Sequence, residues 1–168
     1  MATITLQGNQ TNTNGELPKI GDNAPDFVLV NSDMEDVSLI TYQGKKKLLS
    51  IVPSLDTPVC AVSTKKFDQL AKEKTDILFI TISADLPFAM SRFCKTENLD
   101  NVITLSMMRS RNFAKDYGVL ITDGPLAGIT ARAIVVLNEE NIVTHSELVP
   151  EIANEPDYDA ALKLLDAS

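Results

Sequence analysis

Tryptophan is absent from this 168-residue chain, histidine occurs once, cysteine twice, and aromatic residues amount to 5%. Two cysteines are too few for the multiply bridged framework of a small secreted scaffold. With a single histidine they cannot complete a four-ligand structural zinc site unless carboxylates join them. Positive charge is scarce as well: 15 Lys and Arg face 23 Asp and Glu, a net charge of −8. That balance gives no footing on a phosphate backbone and disfavours nucleic acid as a partner. Long hydrophobic runs are missing. The longest, Leu48 to Leu55 and Ile77 to Ile82, are strand-length and interrupted, far from the roughly 18 apolar residues of a membrane span. The opening MATITLQG has neither a basic stretch nor an apolar core. No signal peptide is expected, and the cytoplasm is the expected compartment.

What is present reads as a globular chain, 44% hydrophobic and 23% charged. The length suits one domain over residues 1–168, able to bury roughly 70% of its unfolded surface. Alternation over Thr3 to Leu6, followed by an Asn-, Thr- and Gly-rich stretch, predicts an N-terminal hairpin or arm within residues 1–20. It joins the main body near Pro25. Leu48 to Val52 ends at Pro53 and reads as a buried strand; Ile77 to Ile82 is a second. From Pro58, Val59, Val62, Phe67 and Leu70 recur at helical spacing. A second helix opens at Pro87 and carries Phe88, Ala89, Met90, Phe93 and Cys94. A third runs from Ser110, as N-cap, to Tyr117, with Gly118 as its stop. Ala131 to Leu137 and Ile142 to Val149 form an antiparallel hairpin across Asn138–Asn141, and Pro156 opens a last helix. Strand–helix–strand units imply parallel pairing and the hairpin adds antiparallel pairing, so the pattern fixes the class as α/β with a mixed sheet flanked by helices, an order that resembles the layout of the thioredoxin fold.

Chemistry concentrates on Cys60. In the strand-to-helix junction that runs from Pro53 to Cys60, Thr57 falls at the N-cap, Pro58 at N1 and Cys60 at N3. Unpaired N–H groups and the positive end of the helix dipole converge there and favour thiolate over thiol. A buried small hydrophobe is the plain alternative for any cysteine. Cys94, 34 residues further on, is too distant for a CxxC pair and could equally be a helix-packing residue. Arg132 shares a face with Ile134 and Val136 by period-two counting, and a carboxylate is its simplest partner.

Pro53-x-x-x-Thr57-x-x-Cys60 resembles the peroxidatic motif of the peroxiredoxins, and the run Ser54 to Cys60 is similar to the thiol peroxidase subfamily in particular. Ser83-Ala84-Asp85-Leu86-Pro87-Phe88-Ala89, Ser91 to Cys94, Gly124 to Leu126, Ala131 to Ala133 and Glu155 to Tyr158 carry the same resemblance. So does Leu6 to Asn9, so the likeness spans nearly the whole chain. The resemblance implies a peroxidase acting on hydrogen peroxide and organic hydroperoxides without a cofactor. It implies that Cys60 attacks one peroxide oxygen and becomes a sulfenic acid, and that Cys94 resolves it as an intrachain disulfide, which thioredoxin reduces. It further implies that Arg132 stabilises the thiolate and orients peroxide, that Thr57 hydrogen-bonds at the sulfur or the peroxide, and that Pro53 shields the sulfur. A homodimer is implied too. A disulfide needs Cα atoms roughly 4.4–6.8 Å apart, so cysteines in separate helices call for local unwinding during turnover.

Two other schemes use the same residues. One is a redox sensor or holdase that relays the disulfide to a partner. The other is a Cys60–His145 hydrolase, although His145 sits among polar neighbours and reads as an exposed strand residue. Met107 and Met108 read as core filling, Asp56 and Asp85 as helix-flanking acids or caps without chemistry, and Glu139–Glu140 as a solvated turn.

Overall fold

A computed structural model of the chain describes residues 1–166. The N-terminal hairpin pairs β1 (Thr3–Leu6) with β2 (Asn9–Asn12). Its two-residue turn, Gln7-Gly8, has positive φ at both positions (51° and 80°), the twist that suits a tight antiparallel turn. Seven strands then form one sheet in the order β4-β3-β7-β6-β5-β8-β9. Short β3 (Leu29–Val30) and β4 (Asp36–Val37) edge it. The centre is β5 (Lys46–Ile51), parallel to β6 (Ile77–Ser83) and antiparallel to β8 (Ala133–Leu137). β7 (Ile103–Ser106) runs parallel to β6, and β9 (Val143–Leu148) closes the expected hairpin with β8.

Period-two alternation sends the central strands' side chains to two cores. Leu48, Phe79, Ile134 and Val136 meet Phe67 and Ala71 of α1 (Pro58–Glu73) and Ala161 and Leu165 of α4 (Tyr158–Asp166). Leu49, Ile51, Ile80, Ile82 and Val135 meet Phe27, Leu39 and the Phe113 and Tyr117 rings. The latter two rings stack at 4.3 Å at α3 (Asn112–Asp116). Helices therefore cover both faces, as the sequence pattern implies.

Several local expectations shift. The buried stripe of α1 is Cys60, Ser63, Thr64, Phe67, Asp68 and Ala71, while Val62 is 52% exposed. Polar residues enter this stripe because their hydrogen bonds are met internally. Ser63 and Thr64 hydroxyls donate to the Cys60 carbonyl (3.2 and 2.7 Å), and the Asp68 carboxylate accepts from the Asn101 and Val102 N–H groups. α3 is only five residues long with Arg111 at its N-cap, and Ser110 instead accepts the Asn112 N–H. Gly118 does end that turn: φ is +69°, and a Cβ there would lie 2.2 Å from the Glu16 carbonyl oxygen. α4 starts at Tyr158, two residues beyond Pro156. Arg132 lies just before β8 instead of within it.

Candidate active site

Three chain segments meet at one end of the sheet because of strand direction. β5 and β6 run parallel and both point their C-terminal ends there, while antiparallel β8 begins there. The segment after β5 delivers Pro53, Thr57 and Cys60; the segment after β6 delivers Asp85; the residue before β8 is Arg132.

Cys60 is fully buried at the third position of α1, with Pro58 at N1 and Thr57 at the N-cap, as its sequence context predicts. Val52, Leu55, Met90 and half-buried Phe93 pack around it, and Pro53 is buried beside this cluster. The guanidinium of Arg132, 2% exposed, donates from Nη1 to Cys60 Sγ at 3.1 Å and from Nε to the Ile152 carbonyl at 3.0 Å. No carboxylate forms an ion pair with Arg132 among the described residues, so the carboxylate partner is not what the fold supplies. A buried guanidinium is costly unless paired or hydrogen-bonded, and the group it faces is the sulfur. When that sulfur is a thiolate, the contact is a charge-assisted hydrogen bond.

Thr57 makes no side-chain cap. Its hydroxyl donates to the Ser54 carbonyl at 2.9 Å, so its proton is committed and its lone pairs remain as acceptors. The cap side chain therefore leaves the first-turn N–H groups, that of Cys60 included, available as donors to an anion or a polarised oxygen. Above this point lies an open cleft of about 680 Å³ between α1 and α2 (Pro87–Glu97), lined by Leu55, Thr57, Pro58, Ala61, Phe88 and Phe93 among others.

The arginine is braced from the N-terminus. The Ile152 N–H donates to the Thr5 carbonyl (2.9 Å), and the Thr5 N–H donates to the Pro150 carbonyl (2.8 Å). Glu151 accepts from the Thr5 hydroxyl and from the Gln7 and Gly8 N–H groups. These bonds hold its carboxyl at about 2, far below the ordinary value.

Cys94 is half-buried on α2 and is not part of this cluster. It opens into a different cavity, of about 450 Å³, with Asn31, Tyr42, Ser91, Leu99 and Asp100. Burial first, then the nearby Asp68 and Asp100 carboxylates, pushes its thiol up. Both cysteines are free. His145 pairs across the hairpin with Val136, four residues along from Arg132. It is half-buried where an exposed residue was expected, and its Nε2 is buried without a hydrogen-bond partner. The structure does not bring it to Cys60. Asp85 is the residue that sequence reasoning passed over: it accepts from the Ser54 hydroxyl and the Leu55 N–H (both 2.8 Å) and from the Ser83 hydroxyl (2.7 Å). The signal was its place in the stretch Ser83 to Ala89, two residues past a Ser.

Comparison with known proteins gives the family of the chain. Residues 19–162 match the Redoxin family model. The chain is 50% identical over 167 residues to the thiol peroxidase of Mycobacterium tuberculosis, covering 99% of this chain and all of the relative. Among solved structures, a peroxiredoxin-like protein from Aquifex aeolicus superimposes with a TM-score of 0.90 at 38% identity, covering 99% of this chain and 97% of that one. A thiol peroxidase from Chromobacterium violaceum gives 0.90 at 30%, with 98% and 95% covered. The chain thus belongs to the Redoxin family and, within it, to the thiol peroxidases of the peroxiredoxin group, enzymes that reduce peroxides through thiol chemistry.

Proposed function

We propose that Cys60 is the peroxidatic sulfur of this thiol peroxidase and Cys94 its resolving partner. The observation that carries the reading is the 3.1 Å contact from the buried Arg132 guanidinium to Cys60 Sγ at an uncapped helix start. The Cys60 thiolate attacks the near oxygen of a hydroperoxide, ROOH. The S–O bond forms as the O–O bond breaks, and the RO⁻ leaving group takes a proton from the medium to give ROH and Cys60 sulfenic acid. Arg132 and the Cys60 N–H face the developing negative charge. Thr57 accepts the hydrogen bond of the peroxide O–H and thereby aligns the O–O axis with sulfur. Pro53 walls the sulfur off from water. The Cys94 thiol then condenses with the sulfenic acid, releasing water and closing an intrachain disulfide. Thioredoxin, supplying two electrons and two protons from its own dithiol, returns both thiols.

Cys60 is fully buried and Cys94 opens into a cavity outside its cluster, which favours local unwinding around one or both cysteines before condensation. The cleft suits both hydrogen peroxide and organic hydroperoxides. No helix among the described residues is long and apolar enough to cross a membrane. The same reading takes residues 1–168 as one thioredoxin-like domain that works in the cytoplasm as a homodimer. Mass spectrometry after one equivalent of hydroperoxide tests the core of it. The expected product is a Cys60–Cys94 bridge within one chain; an interchain bridge, or none, refutes the resolving scheme. Sustained turnover with thioredoxin and its reductase separates the peroxidase from a sensor, which would oxidise once and stop.

A further inference from the structure

We propose that Asp85 is a positioning residue for peroxide reduction, acting through the loop that sets Thr57 and Cys60; this rests on Cys60 being the peroxidatic sulfur. A carboxylate only accepts hydrogen bonds, and here three donors converge on it. Oδ1 takes the Ser54 hydroxyl, while Oδ2 takes the Leu55 backbone N–H and the Ser83 hydroxyl. The Asp85 N–H in turn donates to Ser83 Oγ (3.1 Å), and the Asp85 carbonyl accepts the Ser106 hydroxyl. Asp85 is therefore anchored on the ends of two sheet strands, β6 and β7, and holds the loop after a third.

From Ser54 the chain of contacts continues to the chemistry. The Ser54 carbonyl accepts both the Thr57 hydroxyl (2.9 Å) and the Thr57 N–H (3.3 Å), and Ser54 Oγ accepts the Asp56 N–H (3.1 Å). Thr57 is the N-cap of the helix that begins with Cys60's turn. The direction in which Thr57 offers its lone pairs is thus fixed by Ser54, and Ser54 is fixed by Asp85. Arg132 is held independently, by Ile152. Loss of Asp85 should therefore loosen the alignment of peroxide and leave the cation at the sulfur.

That separation supplies the test. In Asp85→Ala, oxidation of Cys60 by hydroperoxide is expected to slow by about 10- to 100-fold, the scale on which a misplaced reacting group acts. Alkylation of Cys60 by iodoacetamide needs the thiolate but no aligned O–O axis, and it should stay within about threefold of the unmodified protein. Asp85→Asn restores the pattern: its carbonyl can accept from the Leu55 N–H and Ser83, and its amide can donate to Ser54 Oγ. Its oxidation rate should recover to within about threefold. Ser54→Ala should reproduce part of the Asp85→Ala defect. An Asp85→Ala protein that oxidises at the unmodified rate overturns the proposal, as does one whose oxidation and alkylation fall together. If peroxide leaves Cys60 of the unmodified protein unoxidised while iodoacetamide still alkylates it, the reading of Cys60 itself fails, a result visible before any Asp85 variant is made.

Discussion

Replacing Arg132 by Lys keeps the positive charge and removes the fork. The guanidinium makes two bonds at once, from Nε to the Ile152 carbonyl at 3.0 Å and from Nη1 to Cys60 Sγ at 3.1 Å. A lysine has one ammonium and can occupy one of those stations. If it stays with the carbonyl, the sulfur and the incoming peroxide lose a charge-assisted donor worth about 1.5–3 kcal/mol. At about 1.4 kcal/mol per factor of ten, Cys60 oxidation should slow by about 10- to 150-fold. If the ammonium moves to the sulfur, the Ile152 carbonyl is orphaned at a cost of about 1–3 kcal/mol. For a chain of this size that lowers the melting temperature by about 2–12 °C. The two outcomes separate in practice: single-turnover oxidation by stopped flow reports the first, and a thermal melt of the reduced protein reports the second. Arg132→Met, which removes the cation, should lose at least as much rate as Arg132→Lys. A lysine variant that keeps both rate and melting temperature would sink the argument that fork geometry matters here.

The remaining expectations concern the other ionisable groups. Burial and the Asp68 and Asp100 carboxylates raise the Cys94 thiol above its usual 9.0, so the folded helix favours the neutral form. Alkaline pH should then favour the unwound segment, and disulfide formation should accelerate as pH rises through 9; a flat profile contradicts this. His145→Ala should leave peroxidase turnover within about twofold, because its strand register places it away from the sulfur; abolished turnover would revive the hydrolase-like dyad. Glu151, held at about 2 against an ordinary 4.5, contributes stability that is complete above 4.5 and lost as pH falls through about 2. The Thr5 amide resonance should follow that lower midpoint, and a midpoint near 4.5 would break the link to the hairpin. Finally, the Cys60–Cys94 disulfide of Arg132→Met should be about 30–60 mV harder to reduce at equilibrium with dithiothreitol.

Elements with one strong period were legible in the sequence. The runs at 48–52 and 77–82, the helix starts at Pro58 and Pro87 and the turn at Asn138–Asn141 all stand close to where their patterns place them. Two-residue strands such as β3 and β4 have no period to detect, because a pair of residues cannot alternate; only their sheet neighbours define them. The α1 stripe was displaced because hydrophobicity alone ignores a polar residue that is buried and satisfied. Ser63, Thr64 and Asp68 occupy core positions that counting apolar residues assigns to solvent. The site shows the same limit. The place of Cys60 at a helix start was legible from its local sequence, whereas the approach of Arg132 to it was expected only from family resemblance. Asp85 was not legible, since its three donors come from residues 83, 54 and 55. A hub of that kind exists only once β5 and β6 lie side by side.

On the proposed cycle, the same guanidinium would bear on reduction of the disulfide as well as on oxidation of Cys60. Arg132 is 2% exposed and has no carboxylate ion pair among the described residues. Its charge is therefore best compensated when Cys60 is an anion. A disulfide sulfur carries no charge, so oxidation to the bridge withdraws that compensation and leaves a buried cation with one backbone carbonyl. The reduced state is stabilised relative to the oxidised one, and a disulfide whose reduced form is stabilised is easier to reduce. Among the described residues no cation hydrogen-bonds Cys94, and in the folded helix the Asp68 and Asp100 carboxylates oppose its ionisation. An attacking dithiol splits a disulfide most readily where the departing sulfur is the better anion, forming a mixed disulfide with the other sulfur. Reductive attack on the Cys94 sulfur would release Cys60 next to its Arg132 hydrogen-bond donor, 3.1 Å away in the reduced protein, so the incoming dithiol should attack Cys94.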